Sequence, residues 1–362
     1  MGDSKGENRH NVEMGLCRIV AVLVAMLTLG AVRADAAGGA AVTMYVSADE
    51  QIVRPVVAAF EAETGLKVRV VGDTEATKAP GLAQRLRSER GSPRADVFWN
   101  SEAFLTASLA REGLFAPLGA EEVRGWRADL TGEGGLWHGF GMRARVLIFN
   151  TRRVSAEEAP REVHGLLSTR FAGKVAMARP QFGTTRGHMS ALVAWWGEDA
   201  ARAWMKGMKA NGLRLVDGNS AVVRAVAQGE ADVGITDTDD AAAAERNGWP
   251  VGMVFLRHDL PADAAGAHRG ALRIGAMLIP NTVALVAGGP NEAGGRRLAA
   301  FLLSERVERL LAESESRNIP ARAGLAEQFR ALAPPDPAPI EIEKVEASMH
   351  RAMRLAREEL GG

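Results

Sequence analysis

Three carboxylates stand close together where an apolar run of the chain ends, in the sequence Asp237-Thr238-Asp239-Asp240. Capping the start of a helix needs only one of them, and like charges repel unless a cation or a donor group stabilises the set. Carboxylate oxygens suit a hard metal cation, and they also accept hydrogen bonds from an ammonium group. The cluster favours a ligand contact over the alternative of a solvated turn, with Asp239 and Asp240 as candidate metal ligands and Asp237 as a further ligand-binding residue.

Polar residues also follow several other predicted strands directly. Ligands of open α/β sheets bind at the carboxyl ends of the strands, so a polar residue at such a position is a candidate contact. Helix capping is the competing interpretation, because Ser, Asp and Asn at the start of a helix accept hydrogen bonds from its free N–H groups. The residues that stand where caps are expected are Asp49, Ser101, Asn219 and Asp239. The candidate ligand contacts outside the carboxylate cluster are Asp49, Ser101, Glu102, Gly183, Thr184, Thr185 and Asn219, with Asp49 and Glu102 also as candidate metal ligands.

The sequence Gly183-Thr184-Thr185 precedes a predicted helix. Backbone N–H groups and hydroxyls at that position can hold a phosphate, carbonate or carboxylate at the positive end of the helix dipole. The loop therefore predicts an anion contact.

Basic and histidine side chains give less specific signals. Arg143 and Arg145 alternate along a predicted strand, so their side chains project to the same face, where either a cleft position or a salt bridge is open to them. His138, His188 and His258 share no metal-ligand spacing, which predicts structural or surface positions for all three.

The elements that must position these residues alternate between strand and helix. Short β-rich runs predict strands at 42–46, 67–71, 95–99, 143–150, 174–178, 231–236, 251–256, 273–280 and 282–287. Helical spacing of apolar residues predicts helices at 49–65, 81–91, 101–113, 187–196, 198–209, 219–229, 239–248, within 292–313 and near the C-terminus. This alternation is typical of an α/β fold with a largely parallel sheet covered by helices.

The N-terminal segment, residues 1–36, has the pattern of a secretory signal peptide. Its apolar run of roughly 14 residues is shorter than the roughly 20 that a membrane helix needs, and it ends in Ala34-Asp35-Ala36. Met14 is an alternative initiator to Met1. The single cysteine, Cys17, precedes the apolar run, which argues against a lipid anchor. Lys plus Arg and Asp plus Glu both number 44, so the charge balance predicts neither nucleic acid nor an anionic membrane as a partner.

The usual enzyme motifs are missing from the sequence. The chain has no phosphate-binding Walker loop, no Gly-x-Ser-x-Gly elbow and no His-Glu-x-x-His. Asp237-Thr238-Asp239 resembles the nucleophile motif of haloacid-dehalogenase-type phosphatases, but that family places its motif at the first strand of the domain. A phosphatase is therefore a minor alternative, and the main expectation is a protein that is not an enzyme and has no catalytic residue.

Six segments of the sequence together resemble one family. They are Val42 to Ser47, Ala59 to Val68, Ala95 to Trp99, Gly173-Lys174-Val175, Asn219 to Glu230 and Phe301 to Pro320. On these segments the chain resembles the periplasmic ferric-ion-binding proteins of ABC transporters, and the resemblance covers nearly all of the sequence after the predicted signal peptide. It implies a type II periplasmic binding protein-like fold, in which two α/β lobes close around a ligand by a hinge.

The resemblance also assigns roles to the polar positions. The two adjacent tyrosines with which the family holds ferric iron correspond to Asp239-Asp240, the family histidine to Asp49, and the family glutamate to Ser101 or Glu102. The anion-binding loop corresponds to residues 181–185 and the anion-binding asparagine to Asn219. The implied cargo is ferric iron or another hard metal ion with phosphate or carbonate as a synergistic anion, and no resident cofactor is expected. A small organic solute such as an aminophosphonate or a polyamine is the alternative cargo.

The family further implies partners, location and domain layout. The expected partners are an ABC permease and its ATPase, and the protein is expected to be a periplasmic monomer. The resemblance places the N-terminal lobe at residues 37–139 plus about 270–325 and the C-terminal lobe at residues 140–269 plus about 326–362.

Overall fold

The computed structural model describes residues 41–72, 78–181, 183–264 and 271–361. The predicted signal peptide at 1–36, with Cys17 and both candidate initiators, lies outside these residues. Among the described helices, none is both long enough and apolar enough to cross a bilayer.

The described residues contain ten strands, which form one continuous sheet. The strands are β1 Val42–Val46, β2 Val68–Val71, β3 Val97–Asn100, β4 Phe115–Ala116, β5 His138–Asn150, β6 Val175–Ala178, β7 Arg214–Val216, β8 Val233–Asp237, β9 Val251–Phe255 and β10 Leu278–Val286. Their order in the sheet is β2-β1-β3-β10-β5-β8-β6-β7, with β4 paired to β10 and β9 paired to β5. The pairs β1–β2, β1–β3, β6–β7 and β6–β8 are parallel, whereas β5 and β10 run antiparallel to their neighbours.

Helices follow most of these strands and cover the sheet, so the predicted α/β class is confirmed. The longest, at the C-terminus, packs against the helices at Gly183–Trp196, Glu198–Ala210 and Ala103–Arg111. The helices are α1 Glu50–Thr64, α2 Lys78–Ser88, α3 Ala103–Arg111, α4 Gly183–Trp196, α5 Glu198–Ala210, α6 Asn219–Ala227, α7 Thr238–Arg246, α8 Glu292–Leu302, α9 Glu305–Glu313, α10 Ala323–Gln328 and α11 Ile342–Leu360.

The prediction of two strands at 273–280 and 282–287 is wrong. A single strand, β10, runs through both sites, and the residues before it make only isolated bridges. Pro280 suggested a break because proline has no N–H to give to a ladder. The sheet accommodates it by shifting the register between β10 and β5 at Pro280 and Asn281, which is the irregularity that a bulge provides.

Strand β5 is longer than predicted and links the two groups of parallel strands. It begins at His138, five residues before the predicted start, and all of its residues are buried. Gly139 and Gly141 obscured this extension in the sequence. A Cβ on Gly139 would lie 3.1 Å from Pro280 of β10, so the glycine permits a close approach of the two crossing strands.

Aromatic side chains fill the core on both sides of the sheet, and one tryptophan is an exposed exception. Trp99, Trp137 and Trp204 are fully buried, and Trp196 is nearly so. Trp249 is 38% exposed, because it lies in the turn between α7 and β9 rather than on an apolar face.

All three histidines that we predicted to be structural or surface residues are buried. His188 Nε2 and His258 Nε2 are 3.0 Å apart, and His258 Nδ1 lies 3.2 Å from the carbonyl oxygen of Gly275. Since that oxygen can only accept, Nδ1 of His258 donates, and His188 Nε2 donates to His258 Nε2. Burial, with smaller contributions from neighbouring charge such as Arg145, lowers the pKa of His258 to about 4 and that of His188 well below its ordinary value.

We expect the unfolding free energy to fall as the pH drops from 6.5 towards 4. Unfolded histidines take up protons in this range while His258 stays neutral, so the stability present above the ordinary pKa is lost on approach to the lowered one. The loss from His258 is about 3 kcal/mol. Denaturant unfolding across this pH range measures it. The double variant His188→Leu with His258→Leu should make this dependence shallower, and the exposed His350→Gln should leave it unchanged. Equal slopes in both variants would contradict the assignment.

Candidate functional site

The carboxyl ends of β1, β3, β6 and β8 meet at a cleft with a volume of about 150 Å³. Parallel strands bring their ends to one edge, so residues distant in sequence face the same space. All but one of the residues that we predicted to contact a ligand line this cleft. Their interaction with a ligand stays a prediction. The residues that line it are Ser47, Ala48, Asp49, Ile52, Ala79, Pro80, Ser101, Glu102, Arg143, Ala178, Gly183, Thr184, Gly218, Asn219, Ser220, Asp237, Asp239, Asp240, Asn281 and Asn318.

Asp237, the last residue of β8, forms the centre of a buried polar network. Its carboxylate lies 2.7 Å from Nη1 of Arg145, and both side chains are 0% exposed. The Thr184 hydroxyl donates to Oδ2 at 2.7 Å, and the Asn219 amide donates to the same oxygen at 3.0 Å. The pair forms because Arg145 and Asp237 are direct neighbours across the β5–β8 ladder. Both carboxylate oxygens are therefore satisfied by the chain itself.

Asp239 and Asp240 begin helix α7 immediately after this network. One carboxylate oxygen from each, together with one from Asp237, lies within 4.8 Å of the others, a spacing that could hold a metal ion. Burial is the main cause that raises the pKa of Asp239, and burial with the charge of Asp239 raises the pKa of Asp240 well above its usual range. The buried Oδ1 of Asp239 has no hydrogen-bond partner among the residues that the structure describes. The cluster is thus electrostatically unsatisfied, as a cation site is before it binds its cation.

Arg143 is the cationic side chain next to this cluster. Its Nη1 lies 3.5 Å from Asp239 Oδ2 and 3.7 Å from Asp237 Oδ2, and its Nη2 donates to the carbonyl oxygen of Ser101. The contact with Ser101 joins β5 to the end of β3. Of the two uses considered for Arg143 and Arg145, Arg145 makes the buried salt bridge and Arg143 lines the cleft.

Glu102 caps a helix, a role that we predicted for Ser101. Helix α3 begins at Ala103, and the Glu102 carboxylate accepts from the backbone N–H groups of Phe104 and Leu105 at 2.9 and 3.2 Å. Burial raises the pKa of Glu102, and these N–H groups and nearby arginines oppose the rise. Ser101 instead contacts Ser47, which fastens the ends of β3 and β1 together.

The cap positions predicted for Asn219 and Asp239 are also wrong by a residue or two. Gly218 precedes α6 with φ of 93°, and Asn219 is the first helical residue. Asp237 occupies the position before α7, without a side-chain cap bond. Asp49 does precede α1 as predicted, and its exposed side chain lies at the rim of the cleft without capping the helix.

Thr185 is the predicted contact that the structure does not place along the cleft. It is buried, and its hydroxyl accepts from Nη2 of Arg145 at 3.3 Å. Thr184 faces the cleft because it lies one residue earlier in the first turn of α4, whereas Thr185 is rotated by about 100°. The tyrosine of the chain, Tyr45, is also outside the site: it is buried and donates to Glu89, and burial together with Glu89 raises its pKa to about 12.

Two asparagines at the cleft were missed by the sequence interpretation. Asn281 donates to the side-chain oxygen of Asn318 at 3.2 Å and accepts from the indole of Trp99 at the same distance. Asn281 interrupts an apolar strand directly after Pro280, and that polar interruption was the available signal. Asn318 lies in a loop with no motif that would have singled it out.

Known bacterial proteins are similar to this chain in sequence. A family model described as bacterial extracellular solute-binding protein matches residues 56–338. Iron uptake protein A1 of Synechocystis sp. is 28% identical over 300 residues, which are 78% of this chain and 76% of that protein. The Fe(3+)-binding periplasmic protein of Serratia marcescens is 31% identical over 244 residues, covering 65% and 69% of the two chains.

Solved structures agree with these relatives on the fold. The apo ferric ion-binding protein A of Pasteurella haemolytica superposes with a TM-score of 0.76 and 20% identity, over 89% of this chain and 98% of that one. At this identity the likeness establishes the architecture alone, and it confirms the predicted periplasmic binding protein-like fold. The predicted boundaries between two lobes stay a prediction.

Proposed function

The chain belongs to the bacterial extracellular solute-binding proteins, and from this premise we propose that it is the periplasmic binding component of an ABC importer that carries ferric iron or another hard metal ion. The resemblance of the sequence and the names of its relatives support iron as the first candidate. The implied partners are a permease and its ATPase, and the protein itself supplies capture and delivery rather than a catalytic step.

The observation that carries the proposal is the group of three carboxylates at the strand-end cleft. Oxygens of Asp237, Asp239 and Asp240 converge within 4.8 Å, and the aspartate side chains are hard ligands appropriate to a hard cation. The resemblance implies that Asp239 and Asp240 correspond to the adjacent tyrosines of the family, so that the site would keep oxygen donors and have carboxylates in place of phenolates. Burial, together with repulsion between the neighbouring carboxylates, raises the pKa values of Asp239 and Asp240, and a bound cation would offset both effects.

Arg143 has a defined part in this proposal. It neutralises some of the acidic charge before the metal arrives, through its contacts with Asp239 and Asp237. Because like charges repel, a metal cation bound next to Asp239 would disfavour the nearby guanidinium, and we expect metal capture to weaken the contact of Arg143 with Asp239. The remaining contact of Arg143 with Ser101 keeps the guanidinium at the edge of the cleft.

The first test is thermal unfolding of the mature protein after chelator treatment. Ferric nitrilotriacetate, other metal ions, aminophosphonates and polyamines are added separately. Specific binding stabilises the folded state by RT ln(1 + [L]/Kd), about 2.7 kcal/mol at a hundredfold excess over Kd. We expect the largest rise in melting temperature with the ferric salt. A rise with an organic solute and none with any metal would refute the metal proposal.

An aminophosphonate-like zwitterion is the second candidate, and the position of Arg143 favours it. Within one cleft the Arg143 guanidinium lies next to the Asp239 carboxylate. The anionic group of a small zwitterion could therefore pair with Arg143, and its cationic group with Asp239. The phosphatase alternative has no such support, because the carboxylate of Asp237 that would act as nucleophile is fully buried and paired with Arg145. Added magnesium and a phosphate ester should give no turnover.

A further inference from the structure

We propose that the Asp237 carboxylate is the anion of this site, so that the metal cargo binds without phosphate or carbonate from solution. The inference rests on the proposed function, since it concerns how the same cleft neutralises its cation. It replaces the expectation of a synergistic anion held by the loop at Gly183 and by Asn219.

The groups expected to hold an external anion are directed at Asp237 instead. The hydroxyl of Thr184 and the amide of Asn219 donate to Asp237 Oδ2 at 2.7 and 3.0 Å, and the amide also contacts Thr184 at 3.1 Å. Arg145 donates to Oδ1 at 2.7 Å, and its other terminal nitrogen donates to Thr185. A guanidinium, a hydroxyl and an amide thus surround one carboxylate in the way that such groups surround a bound oxyanion.

An anion from solution has no favourable position among these groups. It would have to displace a carboxylate that is 0% exposed and covalently fixed at the end of β8, or lie next to that carboxylate and be repelled by it. The tethered carboxylate also loses no translational freedom when the metal binds, which a free anion would.

Asp237 also reaches the proposed metal position from this buried location. It lines the cleft, and one of its oxygens lies within 4.8 Å of oxygens of Asp239 and Asp240. The same side chain therefore pairs with Arg145 and lies within reach of the acidic pair, as a bridging anion lies between a protein and a metal ion.

Native mass spectrometry tests the inference directly, because the mass of the complex shows whether metal, anion and chelator are bound together. The chelator-treated protein is loaded with ferric nitrilotriacetate in buffer free of phosphate and bicarbonate, and then with each anion added. We expect the same occupancy in every buffer and a mass that corresponds to protein plus metal alone. A complex that always carries phosphate, carbonate or nitrilotriacetate with its metal would overturn the inference and leave the proposed function intact. The absence of bound metal in every buffer would overturn both.

Two substitutions at Asp237 separate its charge from its shape. Asp237→Ala removes the carboxylate and leaves space for a small anion, so ferric binding should weaken at least about tenfold and recover when formate or bicarbonate is added. Asp237→Asn removes the charge and fills the space, so the loss should persist with either anion. Asp232→Asn is the control: Asp232 pairs with Arg153 and Lys174 away from the cleft, and binding should not change.

A different result with either variant would contradict the inference. Unchanged ferric affinity in Asp237→Asn, in anion-free buffer, would show that the carboxylate is not the anion of the site. If the Asp237 variants do not fold, the composition of the wild-type complex is decisive by itself.

Discussion

Replacement of both Asp239 and Asp240 by asparagine should lower the affinity for ferric ion at least about 100-fold, since loss of groups that merely orient metal ligands costs 10- to 100-fold. Asparagine keeps the size of the side chain and one carbonyl oxygen but removes both negative charges. Titration of the chelator-treated variant with ferric nitrilotriacetate, followed by intrinsic fluorescence or calorimetry, measures the loss.

A second pair of adjacent acids provides a matched control for this variant. Glu198 and Asp199 occupy the first turn of α5 as Asp239 and Asp240 occupy the first turn of α7. Glu198→Gln with Asp199→Asn removes the same charge from a helix N-terminus, where each acid is worth a few tenths to 1 kcal/mol. It should leave ferric affinity unchanged. Equal ferric affinities of the two double variants would show that Asp239 and Asp240 are not metal ligands.

Replacement of Arg145 by methionine should lower the unfolding free energy by about 3–5 kcal/mol, the usual cost of leaving one partner of a buried ion pair alone. Arg145 and Asp237 are both 0% exposed, so water cannot solvate the remaining carboxylate. Guanidinium unfolding of the metal-free protein, followed by circular dichroism, measures the difference from wild type.

Two further variants show whether the unpaired charge causes the loss. Arg145→Met with Asp237→Asn removes the charge but keeps a carbonyl oxygen for Thr184 and Asn219, and it should recover part of the stability. Arg153→Met breaks a pair whose arginine is 51% exposed, and it should cost no more than about 1 kcal/mol. A similar small cost for Arg145→Met would contradict the role given to the buried pair.

Local patterns in the sequence predicted most of the elements that surround the site. The strand at Val42–Val46 agrees in both bounds, and the helix at Glu50–Thr64 agrees once its cap residues are set aside. The periodicity of apolar residues depends on neighbours within one or two turns, so it is visible without the fold. The missed strands, Phe115–Ala116 and Arg214–Val216, are too short to show a period.

The roles of individual side chains were less predictable than the helices and strands, because helix caps and ligand contacts use the same residue types. Glu102 was predicted to face a metal, and its carboxylate accepts from the N–H groups of Phe104 and Leu105. The start of α3 at Ala103, rather than at Ser101, decides this. A difference of two residues in the beginning of a helix is within the usual uncertainty of sequence patterns, but it exchanges the roles of neighbouring side chains.

The sequence by itself determined the α/β class, the family and the presence of acidic residues after a strand, because each depends on residues that are close together in the chain. The tertiary structure decided their partners. His188 contacts His258, which lies 70 positions further along the chain, and Arg145 contacts Asp237, which lies 92 positions further along. The second pair exists because Arg145 and Asp237 are opposite one another in the β5–β8 register. A slip of one residue in that register would turn the arginine to the other face of the sheet, and no local pattern specifies the register between strands so far apart in the chain.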